Sequence, residues 1–300
     1  MSEITVIGGI KGNVVANAQE QLMAAQQNGG TISVSYGGTG RNIAENLGRL
    51  GAATAFVGAA GNDIVGRGAK LQLEALGVDT SQLHLIEGQN TAMNISILDI
   101  VGDLEFGVEN IDAYGLIDLE AIDQALPMIN NSEIVCVDGT LSEGVLTYLA
   151  ETVEVPLFFD PHTEEDATKV KEFIGSFHTI KPNRGEASAI CGLDIFSEDQ
   201  LMEAGKWFAD QGVKRVFITM SGGGVYYKEG MKEGILRPEQ VLPFANEEGA
   251  GDAFSAAILD GTRKNMDIEA IAAYGMKAAA IALESKCAVN PLMSERRMQE

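Results

Sequence analysis

Residues 248–254 read EGAGDAF, and the apolar segment SAAILDG follows them at 255–261. Small residues at the start of a helix leave backbone N–H groups accessible, and the helix dipole adds positive potential there. Such a loop can stabilise charge on a phosphoryl group, and Asp252 could accept the proton of an attacking hydroxyl. A glycine turn with an aspartate cap is also a common structural feature. The segment therefore indicates a phosphoryl-binding site, and with it the fold, only when it is considered together with the segments that precede it in the chain.

Strand-like apolar runs alternate with helical stretches on the N-terminal side of this loop. Several of the runs end in Gly or Asp: ITVIGG at 4–9, TAFVGAAG at 54–61, IVCVDG at 134–139, PLFFDP at 156–161, HTIKPN at 178–183 and RVFITMSGGG at 215–224. Continuous apolar strands separated by amphipathic helices predict an α/β fold of three layers, with a mostly parallel sheet covered on both faces. Ligands of such a sheet bind at the carboxyl ends of its strands.

Two stretches interrupt the α/β alternation, at 13–36 and at 90–113. The second contains MNISILDI and GDLEFGV on either side of a Gly102-Asp103 pair, which predicts a β-hairpin. A hairpin inserted in an α/β domain projects from it. We expect one domain over residues 1–300, in which these two segments form a small β lid over the site.

Composition limits the partners of the chain. Its 300 residues carry a formal net charge of -22, which would repel nucleic-acid phosphates and anionic lipids. There is no apolar run of the roughly 18 residues that a membrane helix needs. The start MSEITVIGG lacks the basic region of a signal peptide, and three distant cysteines favour neither disulfides nor zinc. We expect a cytoplasmic protein without membrane or nucleic-acid partners.

The segments KPNRGE, ITMSGGG and GAGDAF occur in the order and spacing of the ribokinase-like (PfkB) carbohydrate kinases, which the chain resembles over nearly its whole length. GGTGRN at 37–42 resembles the first signature of that family. Within the family, GQNTAMNISILD, HTIKPNRGEA and the late VNP segment are most similar to the pseudouridine kinases. The resemblance implies transfer of the γ-phosphoryl group of ATP to the 5'-hydroxyl of pseudouridine. It also implies Mg²⁺, a monovalent cation such as K⁺ near the loop, and a homodimer formed through the lid.

The resemblance also implies residue roles. Asp252 corresponds to the general base, with Gly249, Ala250 and Gly251 as the anion hole, and Glu186 would act on Mg²⁺ through water. ATP would be bound by Asn183, Ser221, Gly222, Gly224 and Asn290. The acceptor would be bound by Asn13, Gly38, Thr39, Asn42, Thr91, Glu109 and Asn110. Ordinary structural explanations exist for several of these: a turn at Asn290, a solvated Glu109, and a helix cap at Glu186.

Two positions depart from the family pattern. Asn13 stands where the family has an aspartate that binds two substrate hydroxyls, so one acceptor oxygen is replaced by an NH₂ donor. Glu247-Glu248 precede the anion hole, where the family has threonine. These carboxylates could point outward, hold a cation, or accompany a changed substrate.

The departures keep alternative functions open. The acceptor could instead be ribose, fructose or another nucleoside. A catalytically impaired family member that only binds nucleotide or nucleoside is a second alternative, although Asp252 and the 249–251 loop are retained. A dinucleotide-binding oxidoreductase is disfavoured, because the segment after the first strand lacks a G-x-G-x-x-G turn.

Overall fold

The computed structural model describes residues 2–238 and 248–300. The strands are β1 (Ile4–Ile7), β2 (Lys11–Ala18), β3 (Gly30–Gly37), β4 (Thr54–Gly61), β5 (Asp79–Ile86), β6 (Ala92–Leu98), β7 (Leu104–Asn110), β8 (Ile134–Asp138), β9 (Leu157–Asp160), β10 (Thr179–Ile180), β11 (Arg215–Thr219), β12 (Val225–Glu229) and β13 (Lys232–Leu236). The α-helices are α1 (Thr39–Arg49), α2 (Ile64–Ala75), α3 (Leu119–Ile129), α4 (Glu143–Thr152), α5 (Glu164–Thr168), α6 (Arg184–Cys191), α7 (Glu198–Gln211), α8 (Ala250–Arg263), α9 (Ile268–Leu283) and α10 (Glu295–Gln299). Short 3-10 helices cover Asp112–Leu116, Lys171–Ser176 and Ser221–Gly223.

Within the described residues, the central sheet has nine strands in the order β13-β12-β11-β10-β9-β8-β1-β4-β5. The strands from β5 to β11 in this order pair in parallel, and β12 and β13 add an antiparallel edge. Each of the six strand-like apolar runs contains one of the parallel strands, which confirms the predicted mostly parallel sheet.

Hydrophobic cores cover both faces of the central sheet. Along β1, Ile7 points to a core shared with α3, α4, α6 and α7, whereas Ile4 and Val6 point to a core shared with α1, α2, α8 and α9. Alternate strand residues thus enter opposite cores, and each fully buried aliphatic or aromatic side chain contributes about 1.5–3 kcal/mol. The prediction of three α/β/α layers is confirmed.

Helix α1 is buried more completely than its sequence pattern suggests. Ile43, Leu47 and Leu50 lie in the core, as their spacing predicts. The polar Arg41 and Glu45 are each only 1% exposed as well, because the other side of the helix packs against neighbouring elements. The two side chains form an ion pair with each other.

A second sheet of four strands, in the order β3-β2-β6-β7, lies apart from the central sheet. Strands β6 and β7 form the hairpin that the Gly102-Asp103 pair predicts, and Gly102 has a φ of 95°. One face of the small sheet is apolar and carries Ile32, Val34, Ile95, Phe106 and Val108. The other is largely polar and carries Asn13, Ser33, Ser35, Asn94, Ser96 and Glu109.

Candidate active site

The glycine loop at 249–251 begins helix α8. Gly249 is the N-cap with a φ of 84°, and a Cβ atom there would lie 1.7 Å from the carbonyl oxygen of Ala288, so only glycine fits. Ala250, Gly251 and Asp252 form the first turn of a helix of 14 residues. The loop therefore presents backbone N–H groups at the positive end of a helix dipole.

Asp252 contacts Asn42 across the cleft. The Nδ2 atom of Asn42 donates a hydrogen bond of 2.7 Å to Oδ2 of Asp252. Burial, helped by the charge of Asp160, raises the pKa of Asp252 to about 7, although Asn42 and Lys181 work in the opposite direction. A carboxyl group with this pKa can take up a proton near neutral pH, as a general base must.

Arg41 fixes the orientation of Asn42. Its Nη1 atom donates to Oδ1 of Asn42 at 2.9 Å and to the carbonyl oxygen of Tyr36 at 3.0 Å, so the amide nitrogen of Asn42 is left to face Asp252. Glu45 and Gln72 accept hydrogen bonds from Nη2 of Arg41. Sequence reasoning missed this role of Arg41, and the spacing of Arg41 and Glu45 by four residues was its only signal.

Asp160 and Lys181 form a buried ion pair next to the glycine loop. Their side chains are 2.9 Å apart, and Ser255 in α8 donates to the other oxygen of Asp160 at 2.6 Å. A Cβ atom on Gly251 would lie 3.4 Å from Nζ of Lys181, so the ammonium group adjoins the anion hole. Burial tends to lower the pKa of Lys181, but Asp160 and then Glu186 outweigh it and the pKa is raised. Sequence reasoning missed both residues, although each ends or follows a parallel strand.

Asp138 holds the start of α1 against the end of β1. It accepts hydrogen bonds from the backbone N–H of Gly40 at 2.8 Å and of Gly9 at 3.4 Å. Gly38 has a φ of 98°, and a Cβ atom there would lie 2.5 Å from the carbonyl oxygen of Gly9. The hydroxyl of Thr39 is 3.1 Å from Nδ1 of His162. The predicted Gly38, Thr39 and Asn42 therefore lie at one end of α1, facing α8.

Asn183 and Glu186 form a capping box at the start of α6. Asn183 accepts from the N–H of Glu186 at 2.9 Å, and Glu186 accepts from the N–H of Asn183 at 2.8 Å. Burial raises the pKa of Glu186 to about 7, with Lys181 opposing. The expectation that Glu186 caps a helix is thus met, and the cap uses one of its two carboxylate oxygens.

Ser221, Gly222 and Gly224 lie in the turn after β11. A parallel bridge between Asn183 and Thr219 places this turn beside the capping box. Ser221 has a φ of 49°, and Gly224 packs so closely that a Cβ atom would lie 1.9 Å from the carbonyl oxygen of Leu236. The exits of β10 and β11 therefore share one edge of the sheet.

Four predicted site residues have partners that account for their polar groups. The hydroxyl of Thr91 donates to Asp63 at 2.8 Å, and Glu109 pairs with Lys11 at 2.9 Å. Asn110 bonds Asp112 through both side-chain atoms, and Asn290 bonds Ile281 and Leu292. Within the described residues, none of these hydrogen bonds connects to the network around Asp252.

Asn13 reaches the loop before α8. Its Nδ2 atom donates a hydrogen bond of 3.1 Å to Oε1 of Glu248. Glu248 thus faces the small sheet, whereas Glu247 lies outside the described residues. Across residues 2–238 and 248–300, no group of three His, Cys, Asp or Glu side chains could hold a metal ion, and no helix could span a membrane.

Comparison with known proteins identifies the class of this chain. The pattern of the pfkB family carbohydrate kinases matches residues 1–295, and the chain belongs to this family. Pseudouridine kinase of Escherichia coli (strain K12) is 28% identical over 97% of this chain and 93% of its own length. Guanosine-inosine kinase of Exiguobacterium acetylicum is 26% identical over 95% of each chain.

A solved structure shares the fold. The structure of Arabidopsis thaliana ribokinase complexed with ribose and ATP matches with a TM-score of 0.87 and 20% identity, over 99% of this chain and 97% of that one. The chain is an ATP-dependent kinase of a sugar or nucleoside.

Proposed function

We propose that the acceptor is pseudouridine, phosphorylated on its 5'-hydroxyl with Asp252 as general base. The observation that carries the catalytic part is the position of Asp252 in the first turn of α8, with a pKa of about 7 and a hydrogen bond from Asn42. A hydroxyl bound beside Asn42 would give its proton to Asp252, while the N–H groups at 249–251 stabilise the charge on the transferring group. The similarity to the Escherichia coli pseudouridine kinase supports this acceptor.

ATP would lie along the exits of β10 and β11, against Asn183, Ser221, Gly222 and Gly224. Asn290 belongs at the edge of this site, because the segment around Ala288 packs on Gly249. The buried carboxyl of Glu186 fits Mg²⁺, an ion that is usually held by one or two carboxylates, waters and substrate phosphates. Bound with the nucleotide, Mg²⁺ would neutralise phosphate charge. The ammonium of Lys181 adds positive charge beside Gly251.

The small sheet would act as the lid of a single cytoplasmic kinase domain spanning residues 1–300. Its polar face carries Asn13, which reaches Glu248 at the site. Glu109 lies on the same face of the small sheet as Asn13 and would face the acceptor. Asn110 follows it on the opposite face and Thr91 directly precedes β6, so these two would lie at the rim of the acceptor site. The opposite face is apolar and exposed, and a second copy of the chain would cover it in a homodimer.

The panel experiment that tests this function mixes the protein with ATP, Mg²⁺ and pseudouridine, guanosine, ribose or fructose, and identifies products by mass. Phosphopseudouridine that is lost in an Asp252→Asn variant is the expected result. Phosphorylation of guanosine or ribose alone would retain the kinase and refute the acceptor. Binding without any product would support the impaired family member, which the departure at Asn13 favours.

A further inference from the structure

The contact between Asn13 and Glu248 joins the small sheet to the loop that precedes helix α8. Asn13 belongs to β2, and Glu248 directly precedes the N-cap Gly249. The two side chains are 235 residues apart in sequence and 3.1 Å apart in space. The acceptor side of the site is therefore linked to the anion hole through this hydrogen bond.

The partner of Asn13 determines the orientation of its amide. A carboxylate only accepts hydrogen bonds, so the NH₂ group must face Glu248, and Oδ1 points away from it. Asn13 is 3% exposed, and Oδ1 has no hydrogen-bond partner among the described residues. Buried acceptors normally have a partner, so this oxygen calls for a donor from a ligand.

Gly37 makes this arrangement possible. A Cβ atom at that position would lie 2.6 Å from Nδ2 of Asn13 and would displace the amide from Glu248. Gly37 ends β3 and is followed directly by Gly38. The first glycine of the pair leaves space for the amide of Asn13, and the second allows the close approach at the start of α1.

We propose that Glu248 is an acceptor-binding residue, and that Glu248 and Oδ1 of Asn13 together accept hydrogen bonds from two neighbouring hydroxyls of the acceptor. This rests on the proposed function and names the chemistry of its acceptor site, a vicinal diol. Asn13 acts through both atoms of its amide, because its NH₂ group holds the carboxylate of Glu248 in place and its oxygen takes one hydroxyl. Glu248 takes the other hydroxyl.

The two departures from the family pattern then form one exchange. The family's aspartate is replaced by Asn13, and the Glu247-Glu248 pair stands where the family has threonine. With Glu248 facing Asn13, the site keeps a carboxylate but carries it on the loop rather than on the small sheet. Because Glu248 adjoins Gly249, a bound diol would also position the loop at 249–251. Loss of Glu248 should therefore lower kcat as well as raise the KM of the acceptor.

A charge exchange tests the proposal. Asn13→Asp places two carboxylates side by side, whereas Glu248→Thr removes the carboxylate of the pair. Each single variant should raise the acceptor KM about 10- to 100-fold, as expected for a lost hydrogen bond to a charged group. The double variant carries one carboxylate again and should return to within about threefold of the parent, since coupled residues are non-additive. The KM of ATP should change much less than that of the acceptor.

The matched control is Glu151→Gln, an exposed glutamate on α4, which should behave like the parent. Thermal unfolding checks that every variant is folded, and calorimetry with pseudouridine, guanosine and ribose measures binding without turnover. Additive losses in the double variant, or an unchanged acceptor affinity in Glu248→Thr, would overturn the proposal while leaving the kinase intact. A parent that binds none of the three ligands would overturn it too, and a parent that binds without turnover would refute only the proposed function.

Discussion

At the scale of single residues, the site depends on two carboxyl groups whose pKa is raised by burial to about 7. Asp252 and Glu186 both have a pKa of about 7, and Lys181 lowers each of them against the effect of burial. Desolvation and an opposing cation thus set how readily the proposed base is ionised at physiological pH.

The pH dependence of catalysis should follow Asp252. A general base must be ionised, so kcat should fall as the pH drops below about 7 and level off above it. Asp252→Asn should lower kcat by about 10²- to 10⁴-fold and abolish this pH dependence, with the acceptor KM little changed. Steady-state kinetics from about pH 5 to about pH 9 check this, at roughly one-unit steps. A variant that keeps more than about a tenth of kcat would contradict the role.

Substitution of Lys181 should affect both stability and the base. Lys181→Met leaves Asp160 buried without its cation, which costs about 3–5 kcal/mol in the free energy of unfolding. It also removes a positive charge that lowers the pKa of Asp252, so the midpoint of the kcat profile should move to higher pH. Denaturant unfolding and the pH profile measure the two effects. The double variant Asp160→Asn/Lys181→Met serves as the control and should recover most of the lost stability. If the midpoint of the kcat profile does not move in Lys181→Met, the electrostatic effect on Asp252 is refuted.

At the scale of elements, the small sheet has an alternation that points its apolar residues away from the cleft. In β7 the apolar Phe106 is 63% and Val108 69% exposed. The pairings Val34↔Val14, Val14↔Ile95 and Ile95↔Val108 extend this surface across all four strands. An apolar surface of this breadth is typical of an interface between protein chains.

A charge on this surface should break the proposed homodimer. Val108→Lys would bury an ammonium against a second apolar sheet, and the mass in light scattering should fall from that of two chains to that of one. Ser33→Lys is the control, because it adds an ammonium group on the polar face of the same small sheet. A parent that is a monomer, or a variant that remains a dimer, would refute the lid interface.

At the scale of the whole molecule, the net charge of -22 opposes compaction. Like charges on a folded surface repel one another, and salt screens them with a Debye length of about 10 Å at 0.1 M. Buried ion pairs are screened less than this surface charge. The overall field and the local site therefore respond differently to added salt.

Added salt should raise the unfolding temperature. Going from about 0.02 M to about 0.3 M choline chloride should stabilise the fold by screening, since choline is too large for a site that holds K⁺. Any further gain in KCl would measure a specific monovalent cation site, which the family resemblance implies. Thermal unfolding in the two salts separates these effects. A fall in the unfolding temperature with choline chloride would contradict dominant self-repulsion.

Much of this protein follows from its sequence. Apolar runs such as IVCVDG are typical of strands in a buried parallel sheet, the Gly102-Asp103 pair marks a hairpin, and GAGDAF marks the start of α8. These features depend on local periodicity and on backbone freedom, which neighbouring residues determine. The family follows from the same segments, and their match over residues 1–295 confirms it.

Other features depend on contacts between residues far apart in the chain. The burial of Arg41 and the hydrogen bond from Asn13 to Glu248 appear only when β2, α1 and α8 meet in space. The pairing of Asp160 with Lys181 appears only when β9 and β10 lie side by side in the sheet. Electrostatic shifts and hydrogen-bond geometry depend on distance and desolvation, which sequence spacing does not encode. Fold class and family therefore follow from local patterns in the chain, whereas long-range packing establishes which polar side chains face one another across the cleft.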